Sequence, residues 1–234
     1  MMKKSRPKSR KTMNPEEAKR AVITVGKGRG FVVQAGGNRL VVTAAHCLPS
    51  LPPAARFSPE DRTYFCLLGR LGEKPTIATE CLFVDPVSDI AVLGSPDGEV
   101  LLDEADEYET LIESSASLQV SGVNRTQKAK LLSLDGRWLD CTVRSFGRFL
   151  RVFVAGGTAG GMSGSPILAN SGAAIAVVST GSVERLPDEQ ATPNTSGEGP
   201  NPVLDHNLPG WCLRDLSLAL PRRKIIRMPP RLKL

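Results

Sequence analysis

Leu40-Val41-Val42-Thr43-Ala44-Ala45-His46-Cys47 is an apolar run that ends in a histidine. The β-branched residues at 41–43 favour a strand. A histidine at the end of a buried strand is costly unless its ring is hydrogen-bonded. Runs of the same kind lie on either side. They fall at 21–25 (AVITV), 31–35 (FVVQA), 39–44 (RLVVTA), 64–68 (YFCLL), 76–84 (TIATECLFV) and 89–93 (DIAVL), separated by Gly, Pro, Asn and Asp. An acidic stretch, 94–116, follows. A second set covers 117–123, 128–134, 138–146, 149–155, 165–169 and 173–179. Six short runs, a charged connector and six more predict an all-β chain built as sandwiches or barrels. No long helical pattern alternates with these runs, which disfavours a parallel α/β sheet.

Charge divides the chain differently. The 234 residues carry 30 Lys+Arg and 24 Asp+Glu, a net charge of +6. Residues 1–20 contribute +6 and residues 221–234 another +6, so residues 21–220 carry −6. The basic surplus belongs to two tails around an acidic body, which argues against a globular domain with a basic nucleic-acid face. The tails could contact polyanions through phosphates, or be solvated termini. No apolar run is long enough to span a bilayer, and no apolar stretch follows the basic N-terminus as in a secretion signal. The five cysteines, Cys47, Cys66, Cys81, Cys141 and Cys212, are odd in number with no C-x-x-C pair. Free thiols in a reducing compartment, a cytoplasmic location and no metal or other cofactor are the expectations.

Two further segments carry chemistry. Residues 156–166 read Gly-Gly-Thr-Ala-Gly-Gly-Met-Ser-Gly-Ser-Pro. Glycines permit positive φ and close backbone approach. An oxyanion hole needs two backbone N–H groups aimed at one point beside a nucleophilic oxygen. Gly161 and Ser163 could supply the groups, and Ser163 the hydroxyl. A phosphate-cradling reading lacks the Lys-[Ser/Thr] pair that follows such loops. Gly26-Lys27-Gly28-Arg29-Gly30 reads as a turn between strands. In Ser88-Asp89-Ile90-Ala91-Val92-Leu93 a carboxylate directly precedes an apolar strand. Alone it would be a turn residue. With His46 and Ser163 it completes a base, an orienting carboxylate and a nucleophile.

Thr43-Ala44-Ala45-His46-Cys47, Asp89-Ile90-Ala91-Val92-Leu93 and Gly161-Met162-Ser163-Gly164-Ser165-Pro166 resemble the three signature segments of trypsin-like (chymotrypsin-fold) serine peptidases. Their order, His, Asp, Ser, is that family's order. The resemblance implies two six-stranded antiparallel β-barrels packed face to face. Residues 21–116 would form the first, with His46 and Asp89. Residues 117–220 would form the second, with Ser163 and a short C-terminal helix capped by Asn207 with Pro209 in its first turn. Residues 1–20 and 221–234 would be flexible basic tails.

The resemblance also implies residue roles. Ser163 attacks the scissile carbonyl, His46 moves its proton, Asp89 orients the imidazole, and the N–H groups of Gly161 and Ser163 bind the oxyanion. Ser179-Thr180-Gly181 would pair with an extended polypeptide substrate. Two features of the secreted relatives are missing. Cys47 is the first cysteine, so it has no upstream partner for their disulfide. Met162 stands where they place the Asp that pairs with a freshly cut N-terminus. Gly157, six before Ser163, matches the floor of the specificity pocket and implies a small or apolar residue before the cleaved bond. The polar loop 187–202 would border that pocket.

Two other readings compete. An α/β-hydrolase esterase would use Ser163, Asp188 or Asp205, and His206, but its elbow needs a glycine where Ser165 stands and a helix where a β-like run follows. A non-catalytic binding module would keep the fold without turnover.

Overall fold

Val22–Val25 (β1) turns at Gly26-Lys27 into Gly28–Ala35 (β2), which pairs antiparallel with Asn38–Thr43 (β3). The computed structural model describes residues 14–54, 58–123, 126–146, 149–179 and 208–209. Thr63–Arg70 (β4), Ile77–Asp85 (β5) and Ile90–Gly94 (β6) complete the first sheet. It closes in the order β1-β2-β3-β6-β5-β4, because β1 pairs with β4 as well as β2. All six expected runs of the first half are strands. Closure removes the free edges that an open sheet would expose.

The strands fill the barrel because alternate side chains point inward. Val25, Val32, Val41, Leu68, Cys81 and Leu93 are buried together. The acidic stretch 94–116 is more than a connector, since Leu102–Ser114 is a helix (α2). Its Tyr108, Leu111 and Ile112 join the same core, and the Tyr108 hydroxyl donates to the Arg39 carbonyl at 3.3 Å. The acidic residues occupy the other face of the helix.

Gln127–Leu132 (β7), Trp138–Phe146 (β8), Phe149–Val154 (β9), Pro166–Ala169 (β10), Ala174–Val177 (β11) and Leu208–Pro209 (β12) form a second six-stranded sheet in the order β12-β11-β10-β7-β8-β9. It curls until β12 approaches β9. Leu131, Val143, Leu150, Met162, Ile167 and Ile175 are buried inside it. The membership differs from expectation at two places. Leu208 and Pro209, expected to open a helix, pair instead with Val177 and Ala176. The rest of the expected helix lies outside the described residues.

Residues 117–123, expected as a strand of the second set, make only isolated bridges. Leu118 N donates to Val32 O at 2.8 Å, and Ala174 N donates to Gln119 O at 2.8 Å. The segment thus threads between the sheets and satisfies backbone groups on both.

A third cluster joins the halves. Phe31, Val33 and Val42 of the first sheet are buried with Leu118, Leu132, Leu168 and Val177. Fully burying each such side chain stabilises by about 1.5–3 kcal/mol, so the two curled sheets form one folded body. Residues 15–19, expected within the N-terminal tail, belong to it too. Pro15–Lys19 is a short helix (α1) capped by Asn14, whose Oδ1 accepts from Glu16 N. Ala18 is buried, and Trp138 Nε1 donates to Pro15 O at 2.9 Å. Residues 1–13 and 221–234, with most of the basic surplus, lie outside the described residues. No helix among the described residues is long and apolar enough to cross a membrane.

Candidate active site

His46 lies in a 3₁₀ turn, Ala45–Cys47, immediately after β3. Ala44 and Ala45 are buried, and the turn leaves His46 partly exposed. Asp89 stands one residue before β6, the neighbour of β3 in the sheet. Its φ is +53°, in the left-handed region, where aspartate is among the few tolerated side chains. The preceding turn is held by Asp85, whose Oδ1 accepts from Val87 N and Ser88 N. Strain of this kind persists only where surrounding contacts over-determine it.

Those contacts are present. Asp89 O accepts from Ala45 N at 3.2 Å, and Asp89 Oδ1 accepts from His46 N at 2.9 Å. Asp89 Oδ2 lies 2.7 Å from His46 Nδ1. The same oxygen accepts from the Ser179 hydroxyl at 2.5 Å. Asp89 is 5% exposed. A carboxylate that close to an imidazole nitrogen, nearly dry and with its oxygens occupied, fixes the ring plane and favours the proton on Nδ1. The other ring nitrogen is left for chemistry.

Ser163 reaches this region through its backbone. Its carbonyl accepts from Arg29 N of β2 at 2.8 Å, and Gly164 N donates to Val178 O at 2.7 Å. Val178 precedes Ser179, whose hydroxyl holds Asp89. Ser163 therefore sits on the seam between the sheets, tied to both. The seam is very tight. Gly164 has φ +80°, and a Cβ there would collide with the Arg29 carbonyl and with Thr43 Oγ1. A Cβ on Gly28 would lie 2.6 Å from Cys47 Sγ and 2.8 Å from Ser163 O. Glycine is required at both positions by close approach.

Among the described residues, neither Gly161 N nor Ser163 N donates to a backbone carbonyl, whereas Met162 N donates to Ala159 O at 3.1 Å. Met162 is buried in the second sheet's core, and its Sδ accepts from Ala159 N at 3.3 Å. A thioether thus packs the loop from beneath. Gly157 ends the turn after β9, its N donating to Val154 O at 3.1 Å. Thr180, Gly181, His206 and loop 187–202 lie outside the described residues. Among the described residues, no cluster of three or more His, Cys, Asp or Glu side chains is placed to hold a metal.

The His46–Asp89 pair and the glycine-rich loop thus meet on the seam between the two sheets. A family model described as a trypsin-like peptidase domain matches residues 28–177. The chain belongs to the trypsin-like peptidase family.

Three solved structures are distantly similar to this trypsin-like peptidase. A serine protease of a human pathogenic astrovirus is 19% identical, covers 69% of this chain and 83% of its own, and has a TM-score of 0.43. The HtrA-type protease AlgW with a decapeptide is 12% identical, with 82% of this chain and 51% of that one covered and a TM-score of 0.44. The serine endoprotease from Yersinia pestis is 12% identical, with 89% and 66% covered and a TM-score of 0.47. The peptidase chain thus spans about half the length of AlgW. No curated protein matches the sequence. Cys47, Cys66, Cys81 and Cys141 of the peptidase are free thiols. Burial pushes the Cys47 thiol up to about 11 and Cys141 to about 12, so neither is an ionised nucleophile near neutral pH.

One contributor was misread in the sequence. Arg29, placed in a turn, lies in β2, is 7% exposed and is bonded to both halves of the molecule. A lone arginine between two glycines in an otherwise apolar strand was the available signal.

Proposed function

We propose that this endopeptidase cleaves its substrate through a triad of Ser163, His46 and Asp89 and an acyl-enzyme intermediate. The observation that carries the reading is the His46–Asp89 pair. Both carboxylate oxygens are engaged by His46, one at its backbone N–H and one at Nδ1. This supports Asp89 as the group that holds the imidazole and stabilises its charged form.

Ser163 Oγ attacks the scissile carbonyl while His46 Nε2 takes its proton. The N–H groups of Gly161 and Ser163 bind the negative charge developing on the carbonyl oxygen. His46 returns the proton to the departing amine, and the peptide's carboxyl side remains as an ester on Ser163. Water, activated by the same imidazole, then hydrolyses the ester. The substrate is an extended polypeptide lying beside Ser179-Thr180-Gly181, and Gly157 at the pocket floor leaves space for a small or apolar side chain. The free thiols support a reducing compartment, such as the cytoplasm.

Reaction of the full chain with a serine-directed fluorophosphonate tests the reading. Wild type should be labelled on Ser163, with labelling abolished in Ser163→Ala and His46→Ala and retained in His206→Ala. An unlabelled wild type, or loss of labelling in His206→Ala with His46→Ala spared, defeats it.

A further inference from the structure

Arg29 is a buried cation on the seam between the two sheets, and its side chain crosses it. Nη1 donates to Leu132 O and Ser133 O, each at 3.0 Å, and Nη2 donates to Leu134 O at 3.2 Å. These three carbonyls form the end of β7 and the turn after it, in the sheet opposite to Arg29's own. Burial pushes the guanidinium down from its ordinary value, and the three carbonyl acceptors offset that cost, since bonds to a charged donor are about twice as strong as neutral ones.

The backbone of the same residue holds the nucleophile's loop. Arg29 N donates to Ser163 O at 2.8 Å, and Arg29 O accepts from Thr43 Oγ1 at 2.6 Å. Gly164 packs on that carbonyl with no space for a Cβ. The segment gripped by the guanidinium also returns to the loop. Leu134 Cδ2 lies 3.4 Å from where a Cβ on Gly161 would sit, although Leu134 itself is 52% exposed. Arg29 thus bonds the loop directly at Ser163, and its guanidinium fixes the backbone of the turn whose Leu134 side chain lies over Gly161.

Resting on the triad reading above, we propose that Arg29 is a positioning residue for the oxyanion-binding loop. Its side chain locks the Leu132–Leu134 turn, which sets the Gly161 N–H relative to Ser163. Because such a loop acts on developing charge, loosening it should slow the chemical step more than it weakens encounter with the reagent.

The test is fluorophosphonate labelling of the full chain, resolved into a limiting rate and a half-saturating concentration, with thermal unfolding alongside. Arg29→Met keeps the backbone bond to Ser163 and removes the three side-chain bonds. It should lower the limiting rate by about tenfold or more, with half-saturation within about twofold of wild type. Arg29→Lys should recover part of the rate, because an ammonium can reach some of the carbonyls. Leu134→Ala, a surface change, should lower the limiting rate by about threefold with no shift in unfolding. A folded Arg29→Met that labels at the wild-type limiting rate overturns the inference. If Arg29→Met does not fold, wild-type limiting rates in both Arg29→Lys and Leu134→Ala overturn it, and a reduced rate in either supports it. A wild-type chain that fails to label overturns the triad reading and this inference with it, whereas a labelled wild type with indifferent variants overturns the inference alone.

Discussion

The hydroxyl of Ser179 donates to Asp89 Oδ2 at 2.5 Å, on the same oxygen that faces His46 Nδ1 at 2.7 Å. Ser179 follows β11 of the second sheet, and Asp89 precedes β6 of the first. The carboxylate is thus oriented from both halves of the molecule. Docking of the second sheet adds one bond to Asp89, which Ala45 N, His46 N and His46 Nδ1 already hold from the first.

Ser179→Ala measures that bond. Losing one bond to a buried carboxylate costs about 1–3 kcal/mol of stability and frees Asp89 to rotate. Peptide turnover should fall by about tenfold, with a smaller effect on KM. Turnover equal to wild type, with only the unfolding temperature lowered, would show that the bond is purely structural.

Gly164→Ala should be far more damaging than its size suggests. The residue has φ +80°, and the added methyl meets the Arg29 carbonyl and Thr43 Oγ1. Left-handed backbone costs about 1–2 kcal/mol for an L-residue, and overpacking typically about 1–3 more. Loss of about 2–5 kcal/mol in denaturant unfolding is expected, against about 1–2 kcal/mol for Gly37→Ala, where φ is +92° but the space is open, so that only the backbone cost remains.

Alkaline pH should destabilise the fold through its buried thiols. Cys47 and Cys141 are pushed by burial from 9.0 to about 11 and about 12. A raised value in the folded state favours the protonated form there. The contribution is therefore complete below pH 9 and is lost as pH rises from 9 towards about 11 for Cys47 and about 12 for Cys141. Each pH unit in that window costs about 1.4 kcal/mol per thiol. Unfolding temperatures measured from pH 8 to 10.5 should fall more steeply in wild type than in Cys47→Ala/Cys141→Ala. Parallel curves would contradict the assignment.

At the N-terminus the important boundary lies inside the basic segment. Removing residues 1–20 deletes α1, with its buried Ala18 and the carbonyl that accepts from Trp138. That deletion should unfold several degrees below a deletion of residues 1–13, an interval of about 4 °C or less per kcal/mol for a body of this size. Equal unfolding temperatures would show that α1 contributes nothing.

The strands of the first sheet were legible because each is a short apolar run with its own turn residues, whereas sheet closure depends on β1 pairing with β4, about 45 residues apart, and was implied only by the family resemblance. Helix α2 was hidden by its acidic face. Ala105, Tyr108, Leu111 and Ile112 recur at helical spacing, but eight carboxylates between 97 and 113 dominate the composition. Residues 117–123 look like a strand because a chain threaded between two sheets needs the same apolar residues as one paired within a sheet. Leu208-Pro209 shows the reverse, with helix-start chemistry overridden by an open edge of β11. His46 and Asp89 each sit at a strand end, which alone marks only a core or turn residue, and they stood out through their combination with the glycine-rich loop and the family resemblance. The roles of Ser179 and Arg29 depend on partners 90 and more than 100 residues away, and local pattern carries no record of such contacts.

Hydrolysis of peptide bonds by Ser163 is tested most directly by digestion of a proteome-derived peptide library by the full wild-type chain and by Ser163→Ala, with the new termini read by mass spectrometry. Wild type should generate a consistent set of cuts, enriched in small or apolar residues before the cleaved bond, and Ser163→Ala should generate none of them. The same cuts at the same rate from the folded Ser163→Ala protein, or no cuts from wild type, would contradict the account.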